Sequence, residues 1–410
     1  MPGGSERLSA GPSTMSVSVT WMLPDKLGGV NSFVANILGH RAPDAFAYYA
    51  VLARNLGDPD DPSDGDFRAD VKRIVYRLPP ENFRSVLRRL ASQIPHGPGA
   101  IVANDWLSLA TASAHRTDKV VVYINHGDFD HYYDLAVMHD PTIDLFITYT
   151  HRMHDRLREL LPHRIDDILL IPYGVEIPQT RSRDEPEEIR LLYVGRLDRS
   201  KGVLDLPSID ARVRSAGIVT RWTIQGPGPA ERELRKAWGD APHITWNGRT
   251  TMERVKEQYA SHDILVMPSR AEGLPVALLE GMAAGCVPVV SDLPSGIPEI
   301  VENGVSGYRA PVGDVAAFAD AIVAIARDRV KLARMREEAA ARIRIGFNID
   351  ERAPQYQQAI AAATARTPRW SQSRIFHGSR LDQPWLPNVV VRGARSLRRT
   401  LFAWGPPGSS

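Results

Sequence analysis

The sequence predicts an α/β protein with two Rossmann-like domains, each built around a parallel sheet. With 410 residues and 43% apolar content, the chain is long enough for two or three domains, each with a core. Residues 263–291 have the pattern of a strand, a loop, a helix and a strand. Ile264 to Met267 is apolar, Pro275 suits a first helical turn, and Gly285 suits a helix end. Units of this kind bind ligands at the carboxyl ends of their strands.

Composition excludes several classes of protein. Lys and Arg number 50 against 48 Asp and Glu, so no overall basic field recruits nucleic acid. Cys286 is the single cysteine, which excludes an internal disulfide and suits a reducing compartment. The sequence contains no apolar run of about 18 residues, the length that spans a membrane. Residues 1–14 are polar and rich in Gly and Pro, so we expect a disordered N-terminus and a cytoplasmic protein.

The loop and helix within residues 263–291 suggest a nucleotide sugar as ligand. Amide groups at Gly273, Leu274 and the first helical turn form an anion site that suits a diphosphate. Glu272 and Glu280 would repel that diphosphate, but they can accept hydrogen bonds from hydroxyls on either side of it. We therefore expect Glu280 to meet a ribose and Glu272 a donor sugar. A solvated glutamate face on the helix is the alternative.

The same stretch carries a family resemblance. Glu272 and Glu280, in E-G-L-P-V-A-L-L-E, are separated by seven residues and precede G-M-A-A-G-C-V-P-V-V. This resembles the signature of glycosyltransferase family 4, which are retaining enzymes with the GT-B fold. The resemblance implies two domains facing across a cleft, with a C-terminal helix that crosses back to the first domain. It also implies metal-independent transfer with no cofactor other than a nucleoside-diphosphate sugar as co-substrate.

Further donor-binding residues are expected in the second domain. Gly195, Arg196 and Lys201 follow an apolar strand and resemble the family's G-R-L-x-x-x-K-G motif. Arg196 as a planar fork and Lys201 as a point charge would both face a diphosphate. Gly226 lies in a stretch that resembles the family's G-x-G-P, and Arg249 lies in the loop where the family receives the nucleobase. The expected donor set is completed by Gly28, Gly29, Glu272, Gly273, Leu274, Pro275, Val276 and Glu280.

The first domain supplies the remaining candidates. Gly28 and Gly29 form a glycine loop after the first strand, where the resemblance places the diphosphate and the acceptor, with Asn31 beside them. Asp105 follows another strand and is either an acceptor-binding residue or a helix cap. His126 follows the most apolar strand of this half. The resemblance implies that His126 lies near the donor sugar, although packing is the usual role of a lone histidine.

The predicted domain boundaries follow from these patterns. The first domain is expected over 15–177, and the second domain, which opens with a polar linker, over 178–346. A crossover helix is expected over 347–365 and a basic tail over 366–410. Within the tail, residues 389–404 place apolar and arginine side chains on adjoining helical faces. This pattern predicts peripheral membrane contact with anionic lipid. A tail that docks on the core or is disordered is the alternative.

The hypothesis from sequence is a retaining hexosyltransferase of polysaccharide biosynthesis. It would move a sugar from a UDP- or GDP-linked donor to a hydroxyl of a glycan, a lipid-linked or a small-molecule acceptor. His126, Glu272, Arg196 and Lys201 are the predicted catalytic residues. The alternatives are a nucleotide-sugar epimerase, a glycan phosphorylase, or a nucleotide-sugar-binding subunit without catalysis. Fold alone does not separate these functions.

Overall fold

A computed structural model describes residues 17–402, except 27, 59–61, 64, 116, 180–187, 240, 371–380 and 384. Residues 396–402 are described by their backbone alone. The expectations for residues 1–14 and for most of the linker therefore lie outside the described residues, as do the side chains over most of the 389–404 segment.

The first domain is a parallel sheet of seven strands with helices on both faces. The strand order is β3-β2-β1-β4-β5-β6-β7. The strands are β1 Ser18–Pro24, β2 Ala47–Asn55, β3 Asp70–Tyr76, β4 Gly99–Ala103, β5 Lys119–Ile124, β6 Leu145–Thr148 and β7 Ile168–Leu170. The helices are α1 Gly29–Gly39, α2 Phe83–Ala91, α3 Trp106–Ala114, α4 Asp130–His139 and α5 His151–Leu160.

The second domain is a parallel sheet of six strands, in the order β10-β9-β8-β11-β12-β13. The strands are β8 Ile189–Val194, β9 Thr220–Gln225, β10 Ile244–Gly248, β11 Ile264–Met267, β12 Val287–Ser291 and β13 Tyr308–Ala310. The helices are α6 Leu206–Ser215, α7 Glu231–Trp238, α8 Met252–Ser261, α9 Val276–Ala283, α10 Ile297–Ile300, α11 Val315–Ala326 and α12 Arg329–Gly346. Both predicted parallel-sheet domains are thereby confirmed.

A helix from the end of the chain returns to the first domain, as expected. Helix α13, Ile349–Thr364, begins after Asn348, whose side chain caps it. Tyr356 on α13 lies fully buried, with its hydroxyl donating to Ile171 O at 2.8 Å and its ring 5.2 Å from Phe33 of α1. This burial fixes one end of the second domain to the first.

The tail forms a helix that docks on the first domain. Helix α14, Asn388–Phe402, lies against the N-terminus of α2. Asp382 is buried, accepts a hydrogen bond from Phe83 N at 2.7 Å and pairs with Arg395 at 2.6 Å. Asn388 accepts a hydrogen bond from Asn82 N at 2.8 Å. The docked alternative therefore describes residues 381–383 and 385–395.

Two elements of the first domain escaped sequence reasoning. Strand β3 is an edge strand with mostly exposed side chains, so it lacks the apolar alternation that marks a half-buried strand. No helix was predicted directly after β5, yet residues 130–139 form helix α4, which buries Tyr133 and Ala136. Over the described part of the chain, no helix combines the length and apolarity needed to cross a membrane.

Candidate active site

The two sheets place their ligand crevices opposite one another. In each sheet the strand order reverses beside the first strand, between β1 and β4 in one domain and between β8 and β11 in the other. Ligands of open parallel sheets bind outside the carboxyl ends of the strands at such a reversal. The loops that follow these four strands contain most of the predicted site residues, so we take the cleft between them as the candidate site.

The loop after β8 carries Lys201 on a tightly packed turn. Gly195 packs closely against the Tyr193 side chain, because a Cβ on Gly195 would lie 3.1 Å from the Tyr193 hydroxyl. Arg196 is exposed, and its carbonyl accepts a hydrogen bond from that hydroxyl at 2.8 Å. Gly202 has φ of 65°, and a Cβ on it would lie 1.8 Å from Pro268 O. Only glycine fits there, so the β8 loop lies directly against the end of β11.

An ion pair joins the two motifs of the second domain. Lys201 Nζ lies 2.8 Å from each carboxylate oxygen of Glu272, and Ser269 Oγ donates to the same carboxylate at 2.8 Å. The Glu272 side chain is 10% exposed, whereas that of Lys201 is 33% exposed. Because Lys201 neutralises the carboxylate, Glu272 can lie beside an anion site without strong repulsion.

The N-terminus of α9 lies where the two domains meet. Pro275 precedes the helix, Val276 begins it, and Gly273 and Leu274 are buried in front of it. A Cβ on Gly273 would lie 3.1 Å from Gly127 Cα of the first domain, and one on Gly29 would lie 3.4 Å from Val276 Cγ2. The predicted glycine loops of both domains thus lie within contact distance of each other.

Glu280 lies inside α9, in a more apolar setting than Glu272. Its carboxylate accepts a hydrogen bond from the Tyr259 hydroxyl at 3.2 Å. Burial raises the pKa of Glu280 to about 7, although the Tyr259 hydrogen bond and Lys256 oppose that rise. The two predicted glutamates therefore differ in environment: Glu272 is paired with a cation, and Glu280 is held by a phenol.

His126 lies on the first-domain side of the cleft, two residues after the end of β5. Its Nε2 lies 2.7 Å from Asn104 Oδ1, and its ring packs edge-on against Phe33 at 5.4 Å. Burial lowers the pKa of His126 to about 3, so the imidazole is neutral near pH 7. Because Gly127 follows His126 and lies against Gly273, the structure brings His126 to the same cleft as the α9 N-terminus.

The two weaker acceptor candidates have clear structural roles. Asn31 is buried, and its amide donates to Pro24 O at 2.8 Å and to Lys26 O at 2.6 Å, which shapes the loop that holds Gly28. Asp105 caps α3 in a capping box, accepting from Ser108 N at 2.8 Å. Of the two roles left open for Asp105, the structure shows the cap, and acceptor binding by either residue stays a prediction.

Two donor candidates lie farther along the second sheet. Gly226 N donates to Gly248 O at 2.8 Å, and a Cβ on Gly226 would lie 2.2 Å from Gly195 O, so Gly226 packs directly against the β8 loop. Arg249 is exposed and follows β10 at the edge of the sheet. Strand β10 is two strands away from β8, whose loop carries Lys201. Arg249 is therefore the predicted second-domain residue that lies farthest along the sheet from the Lys201–Glu272 pair.

Comparison with known proteins agrees with this geometry. Residues 188–328 match the family model described as Glycosyl transferases group 1. The second domain belongs to this family. The chain is similar to the amylovoran biosynthesis glycosyltransferase AmsK of Erwinia amylovora, 33% identical over 171 residues, and to the putative colanic acid biosynthesis glycosyltransferase WcaL of Escherichia coli K12, 33% identical over 194 residues.

These matches cover part of each protein. They include 40% and 45% of this chain, and 42% and 46% of AmsK and WcaL, so less than half of each relative is spanned. For the fold, Anabaena Alr3699/HepE in complex with UDP-glucose superposes with a TM-score of 0.68 at 17% identity, covering 84% of this chain and 99% of that one. At that identity the likeness shows the fold alone, the GT-B fold, over 84% of this chain, which extends beyond the residues that the family model matches.

Three partners of the predicted site residues were not predicted from the sequence. Ser269 and Tyr259 hold Glu272 and Glu280 respectively, and Asn104 holds His126. Ser269 lies in the same loop as Glu272, whereas Tyr259 and Asn104 are more than 20 residues away from their partners and come from other elements. No spacing rule could have paired Tyr259 with Glu280 or Asn104 with His126.

A cavity of about 640 Å³ lies elsewhere between the domains, lined partly by Tyr149, Phe347 and Glu299. Glu299 accepts hydrogen bonds from His151 N at 2.9 Å and Arg152 N at 3.1 Å, at the N-terminus of α5. None of the predicted site residues lines this cavity. Among the side chains that the structure describes, no three His, Cys, Asp or Glu residues cluster as metal ligands would.

Proposed function

We propose that this protein is a retaining glycosyltransferase that moves a sugar from a UDP- or GDP-linked donor to an acceptor hydroxyl. One observation carries the proposal. The Lys201–Glu272 pair and the α9 N-terminus lie on one side of the cleft and the His126 loop on the other, and the two sides approach so closely that a Cβ on Gly273 would lie 3.1 Å from Gly127 Cα. The group 1 match of the second domain and the glycosyltransferase relatives support the same activity.

In the proposed reaction, charge develops on the leaving diphosphate. The bond from the anomeric carbon to the diphosphate oxygen breaks, and a bond to the acceptor oxygen forms. The acceptor proton leaves to an oxygen of the departing diphosphate. Lys201, Arg196 and the amides of Gly273 and Leu274 stabilise that negative charge electrostatically. We infer that these groups act without a metal ion, so chelation by EDTA should leave the rate unchanged.

The remaining predicted residues grip the uncharged parts of the donor. Glu280 accepts hydrogen bonds from the ribose, Glu272 positions the sugar, and neutral His126 accepts a hydrogen bond from a sugar hydroxyl. Gly28 and Gly29 allow the first domain to approach the diphosphate closely, because neither carries a side chain. Closure of the domains excludes water and thereby favours transfer over hydrolysis.

The test begins with a thermal-shift screen of UDP, GDP and their sugars against the purified chain. A rise in melting temperature with one nucleotide, followed by mass spectrometry of products with polysaccharide, lipid-linked and small-molecule acceptors, should identify the transferase activity. NMR of the product anomer tests retention. An epimerised nucleotide sugar without transfer would favour an epimerase, and binding without turnover would favour a binding subunit.

We further propose peripheral contact with anionic lipid through the face of the tail that docking leaves open. Trp385, Val389 and Val390 are 75%, 81% and 52% exposed, and Arg392 lies beside them. A lipid-linked acceptor would then lie near the first domain. Val389→Asp should reduce sedimentation with phosphatidylglycerol vesicles, whereas Val330→Asp, at an equally exposed position on α12, should not. If the protein binds phosphatidylcholine vesicles as well as phosphatidylglycerol vesicles, the arginine side chains do not contribute an electrostatic attraction to anionic lipid.

A further inference from the structure

The orientation of the Asn104 side chain is fixed by backbone groups. Asn104 follows β4 and is buried, and its Nδ2 donates to Met22 O at 2.9 Å and to Val102 O at 3.1 Å. A backbone carbonyl can only accept a hydrogen bond, so the NH2 group of the amide must face these two carbonyls. The amide oxygen, Oδ1, must therefore face the other way.

That oxygen determines which nitrogen of His126 carries the proton. Asn104 Oδ1 lies 2.7 Å from His126 Nε2, and an amide oxygen can only accept. Nε2 must therefore be protonated. A neutral imidazole has a single N–H, so Nδ1 is left with an open lone pair.

We propose that Asn104 is a positioning residue that holds His126 as its Nε2–H tautomer, so that Nδ1 accepts a hydrogen bond from a hydroxyl of the donor sugar. The part concerning the sugar rests on the proposed function. The tautomer itself is a property of the folded chain.

Two further contacts, the open Nδ1 and the burial of the ring favour this arrangement. Phe33 packs edge-on against the His126 ring and restricts its rotation. Asn104 N donates to Ser108 Oγ at 3.0 Å, which anchors the backbone of the positioning residue. Within the part of the chain that the structure describes, Nδ1 of His126 has no hydrogen-bond partner. Burial also keeps the ring neutral, since it holds the pKa of His126 well below its usual range.

The arrangement has a consequence for substrate choice. An Nδ1 acceptor requires a donor, which a sugar hydroxyl supplies and a deoxy position does not. A buried site built to bind a hydroxyl rejects the analogue that lacks it, because the site's polar atom is then left unpaired. The donor should therefore be a sugar with a hydroxyl at the position that faces His126.

The tautomer can be measured without any substrate. In the full chain labelled with 15N-histidine, two-bond correlations between ring nitrogens and carbon-bound hydrogens separate protonated from unprotonated nitrogens. His126→Gln identifies the His126 signals among those of the 12 histidines. We expect Nε2 protonated and Nδ1 unprotonated in the wild type at pH 7. An Nδ1–H tautomer would overturn the proposal.

His262 provides an internal reference with the opposite tautomer. Its Nδ1 lies 2.7 Å from the carbonyl of Gln258, so that nitrogen must be the donor. In Asn104→Ala, the His126 signals should change to a mixture of tautomers while those of His262 stay unchanged. If the His126 signals keep the wild-type pattern, Asn104 does not set the tautomer.

A double-mutant cycle tests the role in the reaction. Asn104→Ala should lower turnover about fivefold to tenfold, the value of about one hydrogen bond, with little change in the donor KM. In the His126→Ala background the same substitution should change turnover less than about twofold, because Asn104 acts through His126. Equal losses in both backgrounds would overturn the positioning role. If no nucleotide sugar is turned over, the proposed function fails, while the tautomer measurement still stands or falls by itself.

Discussion

The two walls of the cleft differ in charge and in how their groups are held. On the second domain, the wall is ionic: Lys201 pairs with Glu272, and the α9 N-terminus lies beside them. On the first domain, the part of the wall around His126 is neutral: His126 is uncharged, and its partners are the amide of Asn104 and the ring of Phe33. The wall on the second domain therefore suits the charged diphosphate, and the wall around His126 suits uncharged hydroxyls.

The largest effect is expected from the ionic wall. Lys201→Ala should lower turnover about 100-fold or more, because it removes a preorganised cation from the leaving group. It also leaves the mostly buried Glu272 carboxylate without its cation, so the melting temperature should fall. Steady-state kinetics and thermal unfolding measure both. Lys236→Ala, at an exposed position on α7, is the control. If turnover of Lys201→Ala stays within threefold of wild type, the charge of Lys201 does not stabilise the leaving group.

A smaller loss is expected on the neutral wall. His126→Ala should lower turnover about tenfold, which is the value of one hydrogen bond and not of an ion pair. His163→Ala, an exposed residue of the same domain, should behave as wild type. If the His126 variant loses as much as the Lys201 variant, the imidazole does more than accept a hydrogen bond, and the contrast between the walls is wrong.

A pH dependence follows from Glu280. Its pKa of about 7 in the folded chain exceeds the ordinary carboxyl value because of burial. The ionised form accepts hydrogen bonds from ribose best, so nucleoside diphosphate affinity should rise roughly fivefold between pH 6 and pH 8. The sign for stability is opposite: the raised pKa means that the free energy of unfolding falls as pH rises from the unfolded value towards 7. In Glu280→Gln, calorimetric titration should show no pH dependence of nucleoside diphosphate affinity, and the free energy of unfolding should lose its pH dependence as well. If the affinity of the variant still rises with pH as in the wild type, another group causes the effect.

The smallest effect on activity is expected from the tail. Asp382→Ala removes the partner of Arg395 and the acceptor for Phe83 N, so residues 381–395 should exchange amide hydrogens faster and the melting temperature should fall. Turnover with a water-soluble acceptor should stay within about twofold, since these residues lie outside the cleft. Asp320→Ala on the surface of α11 is the control. A large loss of turnover in Asp382→Ala would mean that the tail contributes to the first-domain side of the cleft.

Much of the fold could be predicted from the sequence. The apolar strands and the helices that follow them are local patterns, because burial of one helix face leaves a period in the chain and burial of both strand faces leaves a continuous apolar run. The loops proposed to bind the donor could also be located in the sequence, since Gly195 to Gly202 and Glu272 to Glu280 are continuous motifs. Strand β3 and helix α4 were missed, because an exposed edge strand and a polar helix start leave no such period.

The sequence by itself determined which residue types reach the ends of the strands, and thus the chemistry that could occur there. The tertiary structure alone decided their partners: Lys201 with Glu272, Asn104 with His126, and Tyr259 with Glu280. It also decided that the arginine-rich tail docks through Asp382 and Arg395. The physical reason is that periodicity reports burial of a single element, whereas protonation, tautomer and charge depend on groups brought within about 3 Å by packing between elements.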